Sequence, residues 1–200
     1  LHDLLTGLPN RRYVDRYLEE LGSTGLDAPA NTAPYFFLHV DIDRFKEIND
    51  TIGHQAGDRI LLKVSEYLQD LATPFGKTFR IGGDEFLISV VAKDGAPSAD
   101  HLALAIKNTL RRPVVIGDHA CRLDVSIGIA EAPDARTCPR QTFVNVDLAL
   151  QRAKRDSREK IAHYNQDLQL HLMRKKRLAD RLVLAIENEE FEPVYQPQFH

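Results

Sequence analysis

The sequence holds little of what would commit a chain to a special environment. It has no tryptophan, one methionine and two cysteines in 200 residues. Cys121 and Cys138 lack metal-ligand spacing, so the cysteines give no support to a zinc centre. They read as free thiols of a reducing compartment, with a disulfide as the less favoured alternative. No apolar run approaches the roughly 20 residues of a membrane span. No signal peptide is evident either. The chain begins with Leu1 rather than Met, which predicts excision from a longer protein and removes weight from a missing targeting segment. Charge of one sign is also scarce. Against 26 Lys and Arg stand 29 Asp and Glu, a net charge of −3. No global field draws in nucleic acid or an anionic membrane. A nucleotide ligand would need local positive charge.

What is present is ordinary for a soluble globular protein: 43% apolar and 28% charged residues, enough for one well-packed domain with some chain left over. Thr6–Asn10 reads as a loop leading into a helix from about Arg11 to Leu21, and Gly22–Ala33 as a variable loop. Tyr35–Ile42 is a continuous apolar run, as in a buried central strand. A short helix follows from about Arg44. The next, from the Gly53–Asp58 turn, sets Ile60, Leu61, Val64, Tyr67, Leu68 and Leu71 on one side at a helical period. Lys77–Ile81 and Phe86–Val91 read as hairpin strands, Ala99–Leu110 as a helix, Pro113–Ile116 and Arg122–Ala130 as strands. Gln141–Lys154 reads as a helix and Lys160–Tyr164 as an edge strand. The order predicts one α/β or α+β sheet with helices packed against it. From about Asn165 a breaker-free stretch to Glu189 predicts one long helix leaving the first domain, with a basic middle at Arg174–Arg177 that reads as a solvated face.

The chemistry concentrates at the hairpin tip, Gly82-Gly83-Asp84-Glu85-Phe86. Glycines let a bulky anion approach the backbone, and carboxylates can hold a hard cation such as Mg²⁺. Alone, the stretch reads first as an ordinary acidic turn. A second acidic pair, Asp41 and Asp43, stands at the end of the apolar run, where Asp-x-Asp is either an N-cap signal or a metal site. Asp41 with Asp84 could bridge a metal to phosphate oxygens. Lys46 could reach the same phosphates. Asn49 and Asp58 could read a base edge, the aspartate accepting from N1–H and N2–H₂ of guanine. Each residue taken singly is also readable as solvated surface.

Together these segments resemble the GGDEF diguanylate cyclases, from Asp3 to about Tyr164. The similarity rests on Asp3-x-x-Thr6-Gly7-Leu8-Pro9-Asn10-Arg11-Arg12, Asp41-Ile42-Asp43-Arg44-Phe45-Lys46-Glu47-Ile48-Asn49-Asp50 and Gly53–Asp58. It also rests on Arg80–Phe86 and Val125–Ala130. The resemblance implies a palm like that of class III nucleotide cyclases, with a central, mostly antiparallel sheet. It implies cytoplasmic synthesis of cyclic di-GMP from two GTP, each held by one of two facing domains, with Mg²⁺ or Mn²⁺ as cofactor. On the family's pattern Asp41, Asp84 and the Ile42 carbonyl hold the metal, and Asp41, Asp84 and Glu85 are the catalytic carboxylates. Asn49 and Asp58 read guanine; Phe45, Gly82 and Gly83 line the substrate site; Lys46, Lys154 and Arg158 meet phosphates. No nucleic acid and no direct membrane contact are expected.

The chain departs from the family at two places. Ser157 and Glu159 replace the usual Gly and Asn around Arg158, which adds an anion near the expected phosphate site. The family's inhibitory product site, Arg-x-x-Asp, falls on Thr73-Pro74-Phe75-Gly76, so no product inhibition through it is expected. At the C-terminus, Phe191-Glu192-Pro193-Val194-Tyr195-Gln196-Pro197-Gln198 looks like the first strand of an EAL phosphodiesterase domain. The expected organisation is a cyclase domain over 1–164, a connector helix over 165–189 and the start of an EAL domain over 190–200, without phosphodiesterase activity. The alternative is a weakly catalytic GTP-binding module that regulates an adjacent EAL domain.

Overall fold

The computed structural model describes residues 1–27, 34–116, 119–133, 137–156, 158–188 and 190–191. Two compact units emerge, Leu1–Tyr164 and Asn165–His200. In the first, the order is α1 (Arg11–Asp27), β1 (Tyr35–Ile42), α2 (Phe45–Ile52), α3 (His54–Ala72), β2 (Gly76–Arg80) and β3 (Glu85–Val91). Then follow α4 (Ala99–Leu110), β4 (Val114–Ile116), β5 (His119–Cys121), β6 (Val125–Ala132), α5 (Pro139–Arg155) and β7 (Ile161–His163). The second unit contains α6 (Gln166–Glu187), capped by Asn165, whose side chain accepts from the Leu168 amide at 2.8 Å.

The main sheet has the order β2-β3-β1-β6-β7. Its first three pairings are antiparallel, and β6 with β7 is parallel. Every residue of β1 is buried, because strands flank it on both sides and helices cover both faces. Phe36, Leu38, Val40 and Ile42 share one core with Ile60, Val64 and Leu68 of α3 and Leu102 and Ile106 of α4. Tyr35 and Phe37 point the other way, into a core with Val14 and Leu18 of α1 and Phe143 and Val146 of α5. The result is helices on both faces of a mostly antiparallel sheet.

Helix α5 lies unusually close to the sheet at Gly128. A Cβ there would stand 2.3 Å from the Leu150 amide nitrogen and 2.5 Å from the Val146 carbonyl. Only glycine lets backbone meet backbone at that spacing.

Three expectations are corrected. The loop expected from Gly22 begins later: α1 runs on to Asp27, and 28–33 lie outside the described residues. The strand expected over Arg122–Ala130 starts later and ends later, as β6 from Val125 to Ala132, and an unexpected strand, β5, precedes it at His119–Cys121 with Arg122, Leu123 and Asp124 between the two. The short strands β4 and β5 form a separate two-stranded sheet, so there is not one sheet but two. The expected EAL strand lies, but for Phe191, outside the described residues, as does Ser157. Both cysteines are free thiols, Cys138 exposed and Cys121 half-buried. No helix among the described residues is long and apolar enough to cross a membrane.

Candidate functional site

The face of β1 that carries Tyr35 and Phe37 continues with His39 and Asp41. The apolar layer between sheet and α5 therefore turns polar toward the end of the strand. Asp41 pairs in register with Glu85, the first residue of β3. The Ile42 amide donates to the Asp84 carbonyl at 3.3 Å, tying the strand end to the glycine turn.

That turn is clamped from outside. The Arg80 guanidinium donates to the Gly83 carbonyl at 2.7 and 3.2 Å and to Asp3 Oδ1 at 2.7 Å. Asp3 accepts in turn from the Thr6 amide and hydroxyl. Burial pushes against the Asp3 carboxylate, but the Thr6 hydrogen bonds and Arg80 outweigh it and hold the pKa below the ordinary aspartate value. Gly82 packs on the Glu85 carboxylate, whereas a Cβ on Gly83 would meet nothing within 4 Å. The tip is thus open on one side and anchored on the other.

Helix α5 supplies the positive charge. Lys154 Nζ donates to Asp41 Oδ2 at 2.6 Å and stands 3.9 Å from Glu85 Oε1. Burial pushes the Asp41 carboxyl above the usual aspartate value; Lys154 opposes this, and Asp84 and Glu85 add to it. Burial also works against the Lys154 ammonium, but Asp41, Glu85 and Asp84 together raise its pKa above the ordinary lysine value. The Glu85 carboxyl is held below its usual value by His39 first of all, against burial, with Lys154 and Arg11 assisting.

The other candidates come from the far face of the sheet. Phe45 is buried at the start of α2. Asn49 of α2 packs on Gly57 of α3, where a Cβ would fall 1.7 Å from Asn49 Oδ1. That oxygen is buried without a hydrogen-bond partner. Lys46 and Asp58 are exposed on the same two helices. Arg158 is exposed; its amide donates to Asp156 Oδ1 at 2.8 Å. The structure therefore brings Asp41, Glu85 and Lys154 into contact, with Asp84 on the adjoining turn. It gives Lys46, Asp58 and Arg158 no contact with that group. Asp43 is engaged elsewhere, by the Ser126 hydroxyl at 2.8 Å and Lys160 Nζ at 2.7 Å. The Glu159 carbonyl accepts from Lys107 Nζ.

Sequence reasoning missed His39, Asp147, Lys160 and the Asp3–Arg80 clamp. The one available signal was a histidine inside an otherwise apolar strand.

The donor set fits a metal that arrives with its ligand. Among the described residues, no three His, Cys, Asp or Glu side chains gather closely enough to form a complete cage. Asp41 and Glu85 already surround a cation, the Lys154 ammonium. One or two carboxylates completed by phosphate oxygens is the usual setting for Mg²⁺.

Residues 1–160 match the family described as "Diguanylate cyclase, GGDEF domain". The signaling protein YkoW of Bacillus subtilis is 35% identical over 99% of the chain, which spans 24% of that relative. The bifunctional diguanylate cyclase/cyclic di-GMP phosphodiesterase MucR of Pseudomonas aeruginosa is 31% identical over 99% of the chain, which spans 28% of MucR. The chain thus spans about a quarter of the length of these relatives. Among solved structures, the isolated GGDEF domain of TpbB (YfiN) from Pseudomonas aeruginosa matches with a TM-score of 0.73 at 29% identity. That match covers 86% of this chain and 99% of that one. The coiled coil and GGDEF domain of DgcB from Caulobacter crescentus, in complex with c-di-GMP, match with a TM-score of 0.68 at 26% identity. There 81% of this chain and 84% of that one are covered.

Proposed function

The chain belongs to the GGDEF diguanylate cyclase family, matched over residues 1–160, and from that premise we propose that it joins two GTP into cyclic di-GMP. The observation that carries the reading is the meeting of Asp41, Glu85 and Lys154 beside the Gly82-Gly83 turn. In the proposed step, the 3′-oxygen of one GTP bonds to the α-phosphorus of the other. The bond from that phosphorus to the β-phosphate oxygen breaks, and pyrophosphate leaves with the electron pair. The hydroxyl proton passes to Glu85 or to water. A second such step closes the ring, so two GTP give one cyclic di-GMP and two pyrophosphates. Two copies of the domain face each other, each bringing one GTP.

Asn49 and Asp58 read the guanine edge, with Phe45 beneath the site. Lys46, Lys154 and Arg158 neutralise phosphate charge, and Gly82 and Gly83 leave room for phosphates against the backbone. Asp41, Asp84 and the Ile42 carbonyl would hold Mg²⁺ or Mn²⁺. When bound, that ion supplies further charge neutralisation at the phosphates. Positioning and electrostatics are most of what phosphoryl transfer asks of a protein. The place of action is the cytoplasm, where GTP is available, with neither nucleic acid nor membrane as a direct partner.

The test is incubation with GTP and Mg²⁺ at several protein concentrations, with cyclic di-GMP measured. Product rising more than linearly with protein supports a cyclase that works as a facing pair. GTP binding without product, even with an added dimerising tag, rejects it. That second outcome favours a GTP-binding module that regulates an adjacent EAL phosphodiesterase domain, with α6 as connector. The adjacent phosphodiesterase domain in this reading is supported by MucR, whose name joins a cyclase to a phosphodiesterase and of which the chain spans 28%.

A further inference from the structure

His39 is a buried polar side chain that the proposed reaction does not use. It is 3% exposed, and neither ring nitrogen has a hydrogen-bond partner. An orphaned buried imidazole costs stability, and core strands normally carry an apolar residue at such a position. Its neighbours are not random. Nε2 faces Glu85 Oε2 at 3.8 Å, and Nδ1 faces Asp147 Oδ1 at 3.6 Å. Glu85 is therefore flanked on both oxygens, by His39 on one and by Lys154, at 3.9 Å, on the other.

The fold explains how this arises. The partner of His39 on β6 is Gly128, which has no side chain to crowd the imidazole. Over Gly128 the backbone of α5 comes down at Val146 and Leu150, which brings Asp147 beside His39. Asp147 and Lys154, two turns apart on that helix, then stand over His39 and Asp41, two apart on the strand. Glu85 and Asp147 are more than a third exposed, and Asp147 also accepts from Gln151 Nε2 at 3.1 Å, one turn along α5. The imidazole is fixed by burial. Hydrogen bonds between catalytic groups are often long before substrate binds.

We infer that His39 is a positioning residue: as the imidazolium, which carries an N–H on each ring nitrogen, it gives Nε2–H to the Glu85 carboxylate and fixes it beside Asp41, while Asp147 accepts from Nδ1–H and orients the ring from behind. The inference rests on the cyclase reading for the role of Glu85, but not for the contact itself. Outer partners of this kind typically change metal affinity or activity by about 10- to 100-fold when removed.

The test compares His39→Leu, His39→Gln and Asp147→Ala with the unaltered chain. One readout is the kcat and KM for GTP. The other is Mn²⁺ affinity, by electron paramagnetic resonance, with α,β-methylene-GTP, which cannot release pyrophosphate. His39→Leu is expected to melt at the same temperature or higher, because it removes an unsatisfied polar group. It should nonetheless lose about tenfold in kcat or Mn²⁺ affinity, with KM nearly unchanged. His39→Gln, which keeps an N–H, should recover most of that loss. Should His39→Leu fail to fold, the surface variant Asp147→Ala, expected to lose severalfold, decides instead. Unchanged kcat and Mn²⁺ affinity in the folded variants, or equal damage from Leu and Gln, overturns the inference. If the unaltered chain binds Mn²⁺ and the analogue but makes no cyclic di-GMP, only the cyclase reading falls. The Mn²⁺ comparison then still decides the role of His39.

Discussion

Asp84 and Gly57 separate the two halves of the site by experiment. Asp84 stands on the turn whose carbonyl is tied to Ile42, and its side chain packs into no core. Asp84→Ala should therefore leave the melting temperature unchanged. It should lower cyclic di-GMP production by at least about 100-fold if the carboxylate holds phosphate-bound metal. Gly57→Ala is different in kind, because its methyl would collide with Asn49 Oδ1 at 1.7 Å. If Asn49 reads the base as proposed, displacing that amide should raise KM for GTP about tenfold, the worth of one lost hydrogen bond of about 1.5 kcal/mol, with kcat less affected. Steady-state kinetics on both variants distinguish these patterns. Asp3 carries a pH signature. Its pKa is lowered in the folded chain, so its contribution is complete above the unfolded aspartate value and disappears as pH falls through the lower, folded one. Asp3→Asn should cost about 1 kcal/mol at neutral pH. Urea melts should show the gap to the unaltered chain closing only at strongly acidic pH.

At the scale of elements, helix α5 has the least freedom of position. Gly128→Ala would drive a methyl into the backbone at Val146 and Leu150. The helix must move outward, with an expected cost of about 1–3 kcal/mol, and Lys154 must move away from Asp41. Urea melts combined with activity assays should show both losses together, whereas Ala130, on the same face of β6, should tolerate Gly with a loss of stability alone. Element reading succeeded where composition and burial agree. Tyr35–Ile42 is apolar because it is central, and Ala99–Leu110 matches α4 residue for residue. It failed at β5, whose residues His119, Ala120 and Cys121 carry no alternation to announce a strand. It also failed at Gly22, where packing near Pro139 keeps α1 going through a residue that usually stops a helix.

For the whole molecule, the legible part of the candidate site was the part written locally. Asp41 to Asn49, the Gly53–Asp58 turn and the hairpin tip are short motifs, each visible in one stretch. The Lys154–Asp41 ion pair joins positions 113 apart, and Arg80 reaches Asp3 across 77. No periodicity links such residues; only the sheet order β2-β3-β1-β6-β7 does. His39 was hidden for the opposite reason: inside an apolar run a single histidine reads as filler. One prediction belongs to this scale. Thr73–Gly76 closes α3 and opens β2 without the Arg and Asp of an inhibitory product site. Cyclic di-GMP added during turnover should therefore not slow the reaction through this stretch. Tight binding of cyclic di-GMP there in a calorimetric titration would refute the claim.

The Lys154–Asp41 contact gives the site a tethered placeholder. Because the ammonium is attached to the same molecule, its effective concentration at Asp41 is that of an intramolecular partner, on the order of millimolar or above. A bare ion from solution has to evict it without offering the lysine anything in return. A nucleotide carrying its own ion brings both the replacement for the ammonium and a phosphate for the ammonium to move to. If Asp41 holds metal as proposed, the pair would act as a filter on the order of arrival, resisting metal alone and yielding to metal and triphosphate together.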